Sequence, residues 1–251
     1  MTIVQDHSFE YAEMGSGKTF VLLHGLFGTS DNFRGVAEIL ARKYRVLVPQ
    51  LPLYSMPLSQ TNVRSLSLYL SDFLKHKQLG QVNLLGNSLG GHVALDYALN
   101  NPENIESLVL TGSSGLYEKA FGSGMPKRGD KDFIRKRMHV TFYDAKMVTD
   151  ELVDDCYKLV TDRNKLLRIL YLAKSAIRHN LAKDLPKLKI KTCLIWGKQD
   201  AITPPNVAEE FNQLMPHSDL YWIDRCGHAP MLERPQEFNQ ILEQWLQQKE
   251  I

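Results

Sequence analysis

The sequence predicts an α/β fold in which a mostly parallel β-sheet is covered by helices. Short apolar runs of strand length alternate along the chain with longer stretches whose apolar residues recur at helical spacing. Strands that are buried on both faces contain continuous apolar runs instead of an alternating pattern. The alternation with helices is typical of parallel sheets, because parallel strands need a crossover connection that is usually a helix.

The apolar runs locate the strands of this sheet. They predict strands at 20–23, 44–49, 82–85, 108–111, 192–196 and 220–223. Apolar residues at helical spacing predict helices within 66–74, 93–98, 207–215 and 238–246. We expect the apolar faces of these helices to pack against the sheet, since a period of 3.6 residues places them on one side of the helix.

One region interrupts the alternation. Between 113 and 186 the sequence contains helical stretches, such as 150–160 and 163–176, but no convincing strand. The simplest interpretation is a helical insertion at 113–186 in a core made of 1–112 and 187–251. A chain of 251 residues is long enough for one large domain with such an insertion.

The composition is that of an ordinary soluble protein, with 43% apolar and 23% charged residues. The formal net charge of +2 is spread along the chain, which argues against a nucleic-acid partner. No apolar run approaches the ~18 residues of a membrane span, and the N-terminal residues do not resemble a signal peptide. The three cysteines show neither a disulfide framework nor a zinc spacing, so we expect a cytoplasmic protein without membrane association.

The strongest motif for chemistry is Gly86-Asn87-Ser88-Leu89-Gly90, which fits G-x-S-x-G between a predicted strand and a predicted helix. A sharp turn from strand to helix places the serine hydroxyl above the sheet, at the positive end of the helix. The flanking glycines leave room for the chains that cross there. The pattern therefore predicts Ser88 as a nucleophile.

A serine hydroxyl needs a base within hydrogen-bond reach, and the base needs an orienting acid. His228 is the best candidate for the base, because it lies in a loop after a short predicted strand and before the last helix. Asp200, just after the strand at 192–196, is the predicted acid. The strand ending at Thr111 is followed by no carboxylate, so it offers no alternative.

The remaining site predictions concern the oxyanion and the substrate. Leu26, after the strand at 20–23, and Leu89, after the nucleophile, are predicted to donate backbone N–H groups to the oxyanion. The candidate substrate-binding side chains are Phe27, Asn87, Phe121, Phe133 and Tyr143.

Taken together, these motifs resemble the α/β-hydrolase superfamily over the range from about Ser8 to the C-terminal helix. The resemblance is carried, in order, by His24-Gly25, the elbow from Gly86 to Gly91, the stretch from Leu194 to Asp200, and Gly227-His228. It implies that the insertion at 113–186 is a helical cap over the active site, and that neither a cofactor nor a metal is needed. The expected activity is hydrolysis of a small-molecule carboxylic ester through an acyl-enzyme intermediate.

Two alternatives stay open. A helical cap and Asn87 before the serine also resemble the hydrolases that cleave carbon–carbon bonds in meta-cleavage products. Leu26-Phe27 and Ala229 depart from that group, which typically has a glycine-rich stretch and an aromatic residue in those places. The second alternative is a ligand receptor that keeps the hydrolase fold. A homodimer is compatible with the sequence and is not required by it.

Overall fold

A computed structural model describes residues 1–118 and 130–251 of the chain. Within these residues, eight strands form one sheet in the order β1-β2-β4-β3-β5-β6-β7-β8. The strands are β1 (Ile3–Asp6), β2 (Phe9–Met14), β3 (Thr19–Leu23), β4 (Arg45–Pro49), β5 (Val82–Asn87), β6 (Ile105–Thr111), β7 (Lys191–Gly197) and β8 (Ser218–Ile223). The predicted α/β-hydrolase fold is confirmed.

The sheet is antiparallel at one edge and parallel elsewhere. β1 and β2 form a hairpin, and β2 pairs antiparallel with β4. From β4 through β3, β5, β6 and β7 to β8, every pairing is parallel. The carboxyl ends of the parallel strands therefore meet at one edge, which is where open α/β sheets bind their ligands.

The described helices are α1 (Arg34–Leu40), α2 (Val63–His76), α3 (Leu89–Asn100), α4 (Lys131–Met138), α5 (Asp150–Thr161), α6 (Arg163–Arg178), α7 (Pro205–Leu214), α8 (Pro230–Glu233) and α9 (Pro235–Gln248). Side-chain caps fix several of their starts. Asn62 accepts the Ser65 N–H at 2.9 Å before α2, and Asp130 accepts the Phe133 N–H at 2.9 Å before α4. Such caps satisfy N–H groups that have no partner within the helix. None of these helices is long and apolar enough to cross a membrane.

Two apolar layers cover the sheet. Alternate residues of β3 point to opposite faces, so that Val21 and Leu23 join one layer while Phe20 and Leu22 join the other. The first layer contains the apolar faces of α2, α3 and α7, and the second contains those of α1 and α9. Burial on both faces explains why the central strands are continuous apolar runs.

The helical stretch between β6 and β7 has a small apolar cluster of its own. Its described parts, 113–118 and 130–186, contain α4, α5 and α6 and no strand. Ile134, Val148, Val153 and Cys156 form the cluster, and α6 also packs against α2. The division into a core and a cap domain at 113–186 stays a prediction.

Candidate active site

Ser88 occupies the apex of a strand-to-helix turn between β5 and α3. Its backbone has φ 54° and ψ −120°, a conformation that residues other than glycine rarely adopt. A Cβ on Gly86 would lie 2.5 Å from Cα of Gly91, and one on Gly90 would overlap the backbone of Leu23. The turn therefore requires glycine at both flanking positions, as the motif predicted.

His228 and Asp200 are buried next to each other. Nδ1 of His228 lies 2.9 Å from Oδ2 of Asp200. The other carboxylate oxygen, Oδ1, accepts the N–H groups of Ile202 at 2.8 Å and Thr203 at 2.9 Å, while the Thr203 hydroxyl donates to Oδ2 at 2.8 Å. These bonds fix the direction of the carboxylate toward the imidazole.

The environment favours protonation of His228. Burial alone lowers the pKa of this imidazole, but the charge of Asp200 and its hydrogen bond outweigh that effect and raise the pKa above the ordinary value. The Glu118 carboxylate adds to the rise. Since Asp200 accepts a hydrogen bond from a protonated Nδ1, the neutral imidazole presents Nε2 as its basic nitrogen.

Ser88 and His228 both line one cavity of about 750 Å³ beneath α4, α5 and α6. Its walls are mostly apolar, and α4, the turn after it and α6 provide many of the side chains. The apolar lining includes Phe27, Phe133, Ile134, Met138, Phe142, Met147, Leu152, Val160, Leu166, Ile169, Leu170, Leu172, Ala173, Ala176 and Ile177. A cavity of this size and character suits a small organic molecule with a substantial apolar part.

The two predicted oxyanion donors approach Ser88 from different elements. Leu89 opens α3 directly after the serine, and Leu26 lies in the turn after β3; both residues line the cavity. A Cβ built on Gly25 would be 3.2 Å from Cβ of Ser88, so the turn after β3 passes close beside the serine. N–H groups in the first turn of a helix have no partner within the helix and are available to an anion.

His24 fixes the shape of that turn. It is fully buried; its Nε2 accepts the Leu51 N–H at 3.0 Å, and its Nδ1 lies 3.0 Å from the Gly25 carbonyl oxygen. Burial lowers the pKa of His24 to about 4 despite the bond to Gly25, which keeps the imidazole neutral. His24 therefore joins the β3 turn to the loop at Leu51.

The loop that carries His228 is attached to the helical stretch on the other side of the cavity. The His228 N–H donates to the Thr141 carbonyl at 2.7 Å, in the turn after α4. The buried Glu233 accepts the Gly227 N–H at 2.7 Å and also accepts the Asp144 N–H. One carboxylate thus joins the histidine loop to the segment that follows α4.

The structure brings most of the predicted site residues together. Leu26, Phe27, Asn87, Leu89 and Phe133 line the same cavity as Ser88 and His228, while Asp200 lies behind His228. Phe121 lies outside the described residues.

Two of the predicted substrate contacts differ in their placement. The Asn87 amide donates to the carbonyls of Thr111 at 2.9 Å and His228 at 3.1 Å, so both of its N–H groups tie the turn to its neighbours. Tyr143 is half exposed and is not among the described residues that line the cavity. Phe142 lines it instead.

Several residues at the site were not identified from the sequence. Thr203 and Glu233 act by bonding to neighbouring polar groups, and Thr141 uses its backbone carbonyl; such roles leave no periodic or motif signal. The cavity face of α6 follows helical spacing through Ile169, Leu172 and Ala176, but that spacing alone does not distinguish a cavity wall from a packed core.

The possible metal ligands of the described residues are separate from this cavity. Across residues 1–118 and 130–251, one set of side chains could jointly bind an ion, namely Asp6, His7 and His76. They lie at the β1–β2 turn and the end of α2 and do not line the cavity.

Comparison with known proteins places this site in a family. A sequence model described as the alpha/beta hydrolase family matches residues 20–241. The chain belongs to the alpha/beta hydrolase family. The match includes the Ser88 turn, Asp200 and His228, so the site described above lies within the shared region.

Individual relatives agree with this assignment. The crystal structure of MGS-MChE2, an alpha/beta hydrolase enzyme from the metagenome of lagoon sediments at Mar Chica, Morocco, is 46% identical, covers 100% of both chains and has a TM-score of 0.83. A 2-hydroxy-6-oxo-6-(2'-aminophenyl)hexa-2,4-dienoic acid hydrolase of Metapseudomonas resinovorans is 31% identical over 91% of this chain and 83% of its own. The structure of a membrane phospholipase A, described as a bacterial virulence factor, is 25% identical, with 98% of this chain and 85% of that chain covered and a TM-score of 0.81.

Proposed function

We propose that this alpha/beta hydrolase cleaves carboxylic esters with an apolar acyl group, using Ser88 as nucleophile, His228 as base and Asp200 as orienting acid. The observation that carries the proposal is the bond of 2.9 Å between His228 and a fully bonded Asp200, at the wall of a cavity that also contains Ser88. The sharp turn at Ser88 supports it, because it exposes the hydroxyl to that cavity.

In the first half of the reaction, His228 removes the proton from the Ser88 hydroxyl as its oxygen attacks the ester carbonyl. The N–H groups of Leu26 and Leu89 stabilise the oxyanion that forms. Asp200 stabilises the imidazolium without taking its proton. His228 then gives the proton to the leaving alcohol, and the acyl group remains on Ser88.

In the second half, water replaces the alcohol. His228 takes a proton from the water molecule, the resulting hydroxide attacks the acyl carbon, and the same N–H groups hold the oxyanion again. When the intermediate collapses, Ser88 recovers its proton from His228 and the carboxylic acid is released.

We further propose that the helical stretch at 113–186 serves as the cap over this site. The apolar side chains of α4 and α6 line the cavity on the side opposite the sheet. Such a cover would limit access of bulk water to the reacting centre and strengthen electrostatic interactions within it. The mostly apolar lining favours an aliphatic or aromatic acyl group over a charged one.

Carbon–carbon bond hydrolysis is the second candidate, and two observations favour it. The relative from Metapseudomonas resinovorans is a hydrolase of a dienoic acid, whose substrate carries a carboxylate. Arg137, Lys174 and Arg178 line the cavity here and offer cationic partners for such a group. The same Ser88, His228 and Asp200 would serve this reaction.

The test compares the two reactions on the purified chain. We expect p-nitrophenyl esters from acetate to octanoate to release p-nitrophenol, with kcat/KM increasing with acyl length. The variant Ser88→Ala should lower kcat by as much as about 10⁶-fold. A fluorophosphonate probe should add its mass to Ser88 in the native chain and leave the variant unlabelled.

The other outcomes have distinct meanings. Rapid loss of the absorbance of 2-hydroxy-6-oxo-6-phenylhexa-2,4-dienoate, together with slow ester turnover, would replace the ester proposal by carbon–carbon hydrolysis. Ser88→Ala with native near-ultraviolet circular dichroism and unchanged ester turnover would remove Ser88 from the mechanism. Binding of esters without any turnover would support a receptor in place of an enzyme.

A further inference from the structure

In addition to Ser88, His228 and Asp200, a chain of hydrogen-bonded polar side chains runs from the cavity wall toward the protein surface. It starts at Ser114, which lines the cavity and whose N–H donates to the Ser88 carbonyl at 3.2 Å. The Ser114 hydroxyl lies 3.3 Å from Nδ1 of His92 in the first turn of α3. Nε2 of His92 lies 3.0 Å from Nδ1 of His179, which follows α6.

Beyond His179 lies the buried carboxylate of Asp96. Nε2 of His179 is 3.6 Å from Oδ1 of Asp96, and Arg64 donates to Oδ2 of Asp96 at 3.0 Å. His92 is fully buried, whereas the His179 side chain is 37% exposed and can exchange protons with solvent. The planes of the two imidazole rings are nearly parallel, with an interplanar angle of 8°. The chain therefore joins a buried wall of the cavity to a partly solvated histidine.

When His179 is neutral, each proton of the chain has a preferred position. The Asp96 carboxylate favours the His179 proton on Nε2, which leaves Nδ1 of His179 as an acceptor. His92 must then carry its proton on Nε2, so its Nδ1 accepts a hydrogen bond from the Ser114 hydroxyl. In this state the Ser114 oxygen can only accept a hydrogen bond from a molecule in the cavity.

When His179 is protonated, the two hydrogen bonds that join His179 to His92 and His92 to Ser114 reverse their direction. Both nitrogens of His179 are then donors, and Nδ1 donates to Nε2 of His92. The neutral His92 now carries its proton on Nδ1 and donates it to the Ser114 oxygen. The Ser114 hydroxyl proton is released from His92 and can be donated into the cavity.

We propose that Ser114, His92 and His179 form a proton wire that sets whether Ser114 accepts or donates a hydrogen bond at the substrate cavity. Ser114 would then determine specificity for a polar group on the substrate: a hydroxyl or amine that donates to it when His179 is neutral, and a carbonyl or ether oxygen that accepts from it when His179 is protonated. The proposal rests on the proposed function only in taking this cavity as the substrate site.

The proton transfers balance along the wire. Ser114 takes a proton from water or acid in the cavity and gives its own proton to Nδ1 of His92. His92 gives its Nε2 proton to Nδ1 of His179, so that His179 gains one proton and one positive charge. The acid released by ester hydrolysis is one source of such a proton, and solvent at His179 is where it can leave.

The surroundings suit His92 as a relay that does not hold the charge. Burial and the neighbouring His179 together lower the pKa of His92 to about 3, although its bond to His179 acts in the opposite direction. Over the described parts of the chain, the titratable side chains in recorded contact with His179 are His92 and Asp96, both from α3. Arg64, from α2, acts through Asp96, and Arg178 precedes His179 in the sequence.

Nitrogen NMR tests the wire without any substrate. The ¹⁵N shifts of a neutral histidine show which nitrogen carries the proton. We expect His92 to change from the Nε2–H to the Nδ1–H form as the pH is lowered and His179 becomes protonated. The change should follow the protonation of His179. A His92 that keeps one tautomer while His179 titrates, or a His179 that stays neutral until the protein unfolds, would overturn the proposal.

Two variants separate the wire from a packing role. His179→Gln keeps a polar side chain that cannot take up a proton, so His92 should hold a single tautomer at every pH. His217→Gln, which changes an exposed histidine after α7, should leave the His92 titration unchanged. A pH-dependent tautomer that persists in His179→Gln would contradict the assignment of His179.

The specificity readout uses matched esters that carry a hydroxyl or a methyl ether at the same carbon of the acyl chain. At the position that reaches Ser114, raising the pH should raise the KM of the ether relative to the hydroxyl by roughly 3- to 10-fold, the worth of one hydrogen bond. Ser114→Ala should remove this change, so that the ratio of the two KM values no longer depends on pH. A ratio independent of pH at every position would refute the role of Ser114, and loss of all ester turnover with a normal His92 titration would refute only the proposed activity.

Discussion

The two walls of the cavity are held by different kinds of interaction. On the sheet side, the Asp200 carboxylate is hydrogen-bonded to two backbone N–H groups, a hydroxyl and His228. These polar contacts fix its position. On the helical side, the lining residues of α6 range from the fully buried Leu172 to Leu170 and Ile177, which are 40% and 48% exposed. The first wall fixes directions of hydrogen bonds, whereas the second supplies apolar surface.

This difference teaches where precision is needed. A base and a nucleophile must be held at hydrogen-bond geometry, so their supports are polar, buried and short-range. An apolar acyl group is held by area, and area tolerates adjustment of individual side chains. Glu233 helps to join the two walls, because its carboxylate accepts hydrogen bonds from both the histidine loop and the segment after α4.

The largest expected effect is on the sheet wall. Asp200→Asn removes the charge that fixes the His228 tautomer and should lower kcat by about 10⁴-fold with little change in the fold. Steady-state kinetics on a p-nitrophenyl ester measure it. Asp224→Asn changes a nearby carboxylate that bonds Gln199 and should leave kcat within twofold. A fall of less than tenfold in Asp200→Asn would show that the acid is elsewhere.

The second-largest effect is expected from substitution of Glu233, which joins the two walls. Glu233→Ala leaves the N–H groups of Gly227 and Asp144 without their acceptor and should lower the free energy of unfolding by about 1–3 kcal/mol per buried group left unpaired. kcat should fall as well, because the His228 loop loosens. Glu233→Gln keeps one acceptor oxygen and should retain more of both quantities.

Urea unfolding and ester kinetics provide the two measurements. Glu237→Ala, an exposed carboxylate at the start of α9, is the matched control and should cost only a few tenths of a kcal/mol. If Glu233→Ala and Glu237→Ala were equally stable and equally active, the two walls would not be joined through Glu233.

The sheet wall was largely predictable from the sequence. Ser88 stands in a local pattern whose glycines have no substitute at that turn, and the apolar runs of the central strands follow directly from burial on both faces. The strand β1 was not predicted, because three of its four residues are exposed and it has no apolar pattern to detect. Edge strands give this weak signal in general.

The helical wall was predictable only as helices. The stretch at 163–176 was recognised from its spacing, but which side chains face the cavity depends on how α6 packs over the sheet. The choice of Tyr143 over Phe142 shows the same limit, since both are aromatic and the turn after α4 decides which one points inward. Long-range partners such as Glu233 depend on the assembled fold in the same way.

A smaller effect concerns the pH profile of the sheet wall. His228 must be neutral to act as base, and its pKa is raised, so kcat/KM should decline on acidification at a higher pH than an ordinary histidine would give. Glu118→Gln removes a negative charge that favours the imidazolium and should move this decline to lower pH by less than about one unit. Glu243→Gln, an exposed carboxylate of α9, should leave the profile in place. A decline that moves to higher pH in Glu118→Gln would reverse the assigned sign.

The smallest expected effect distinguishes the helical wall from a packed core. Leu170 lines the cavity but is 40% exposed, so Leu170→Ala should change the free energy of unfolding by no more than about 0.5 kcal/mol. It removes apolar surface from the acyl site and should therefore raise KM a few-fold for octanoyl esters and leave acetyl esters unchanged. Tyr171→Ala changes the next residue of α6, which is 50% exposed and is not among the described cavity-lining residues, and KM should be unaffected. If the KM for octanoyl esters in Leu170→Ala equalled that of the native chain, Leu170 would make no acyl contact, and the other lining side chains would set the fit of the acyl group.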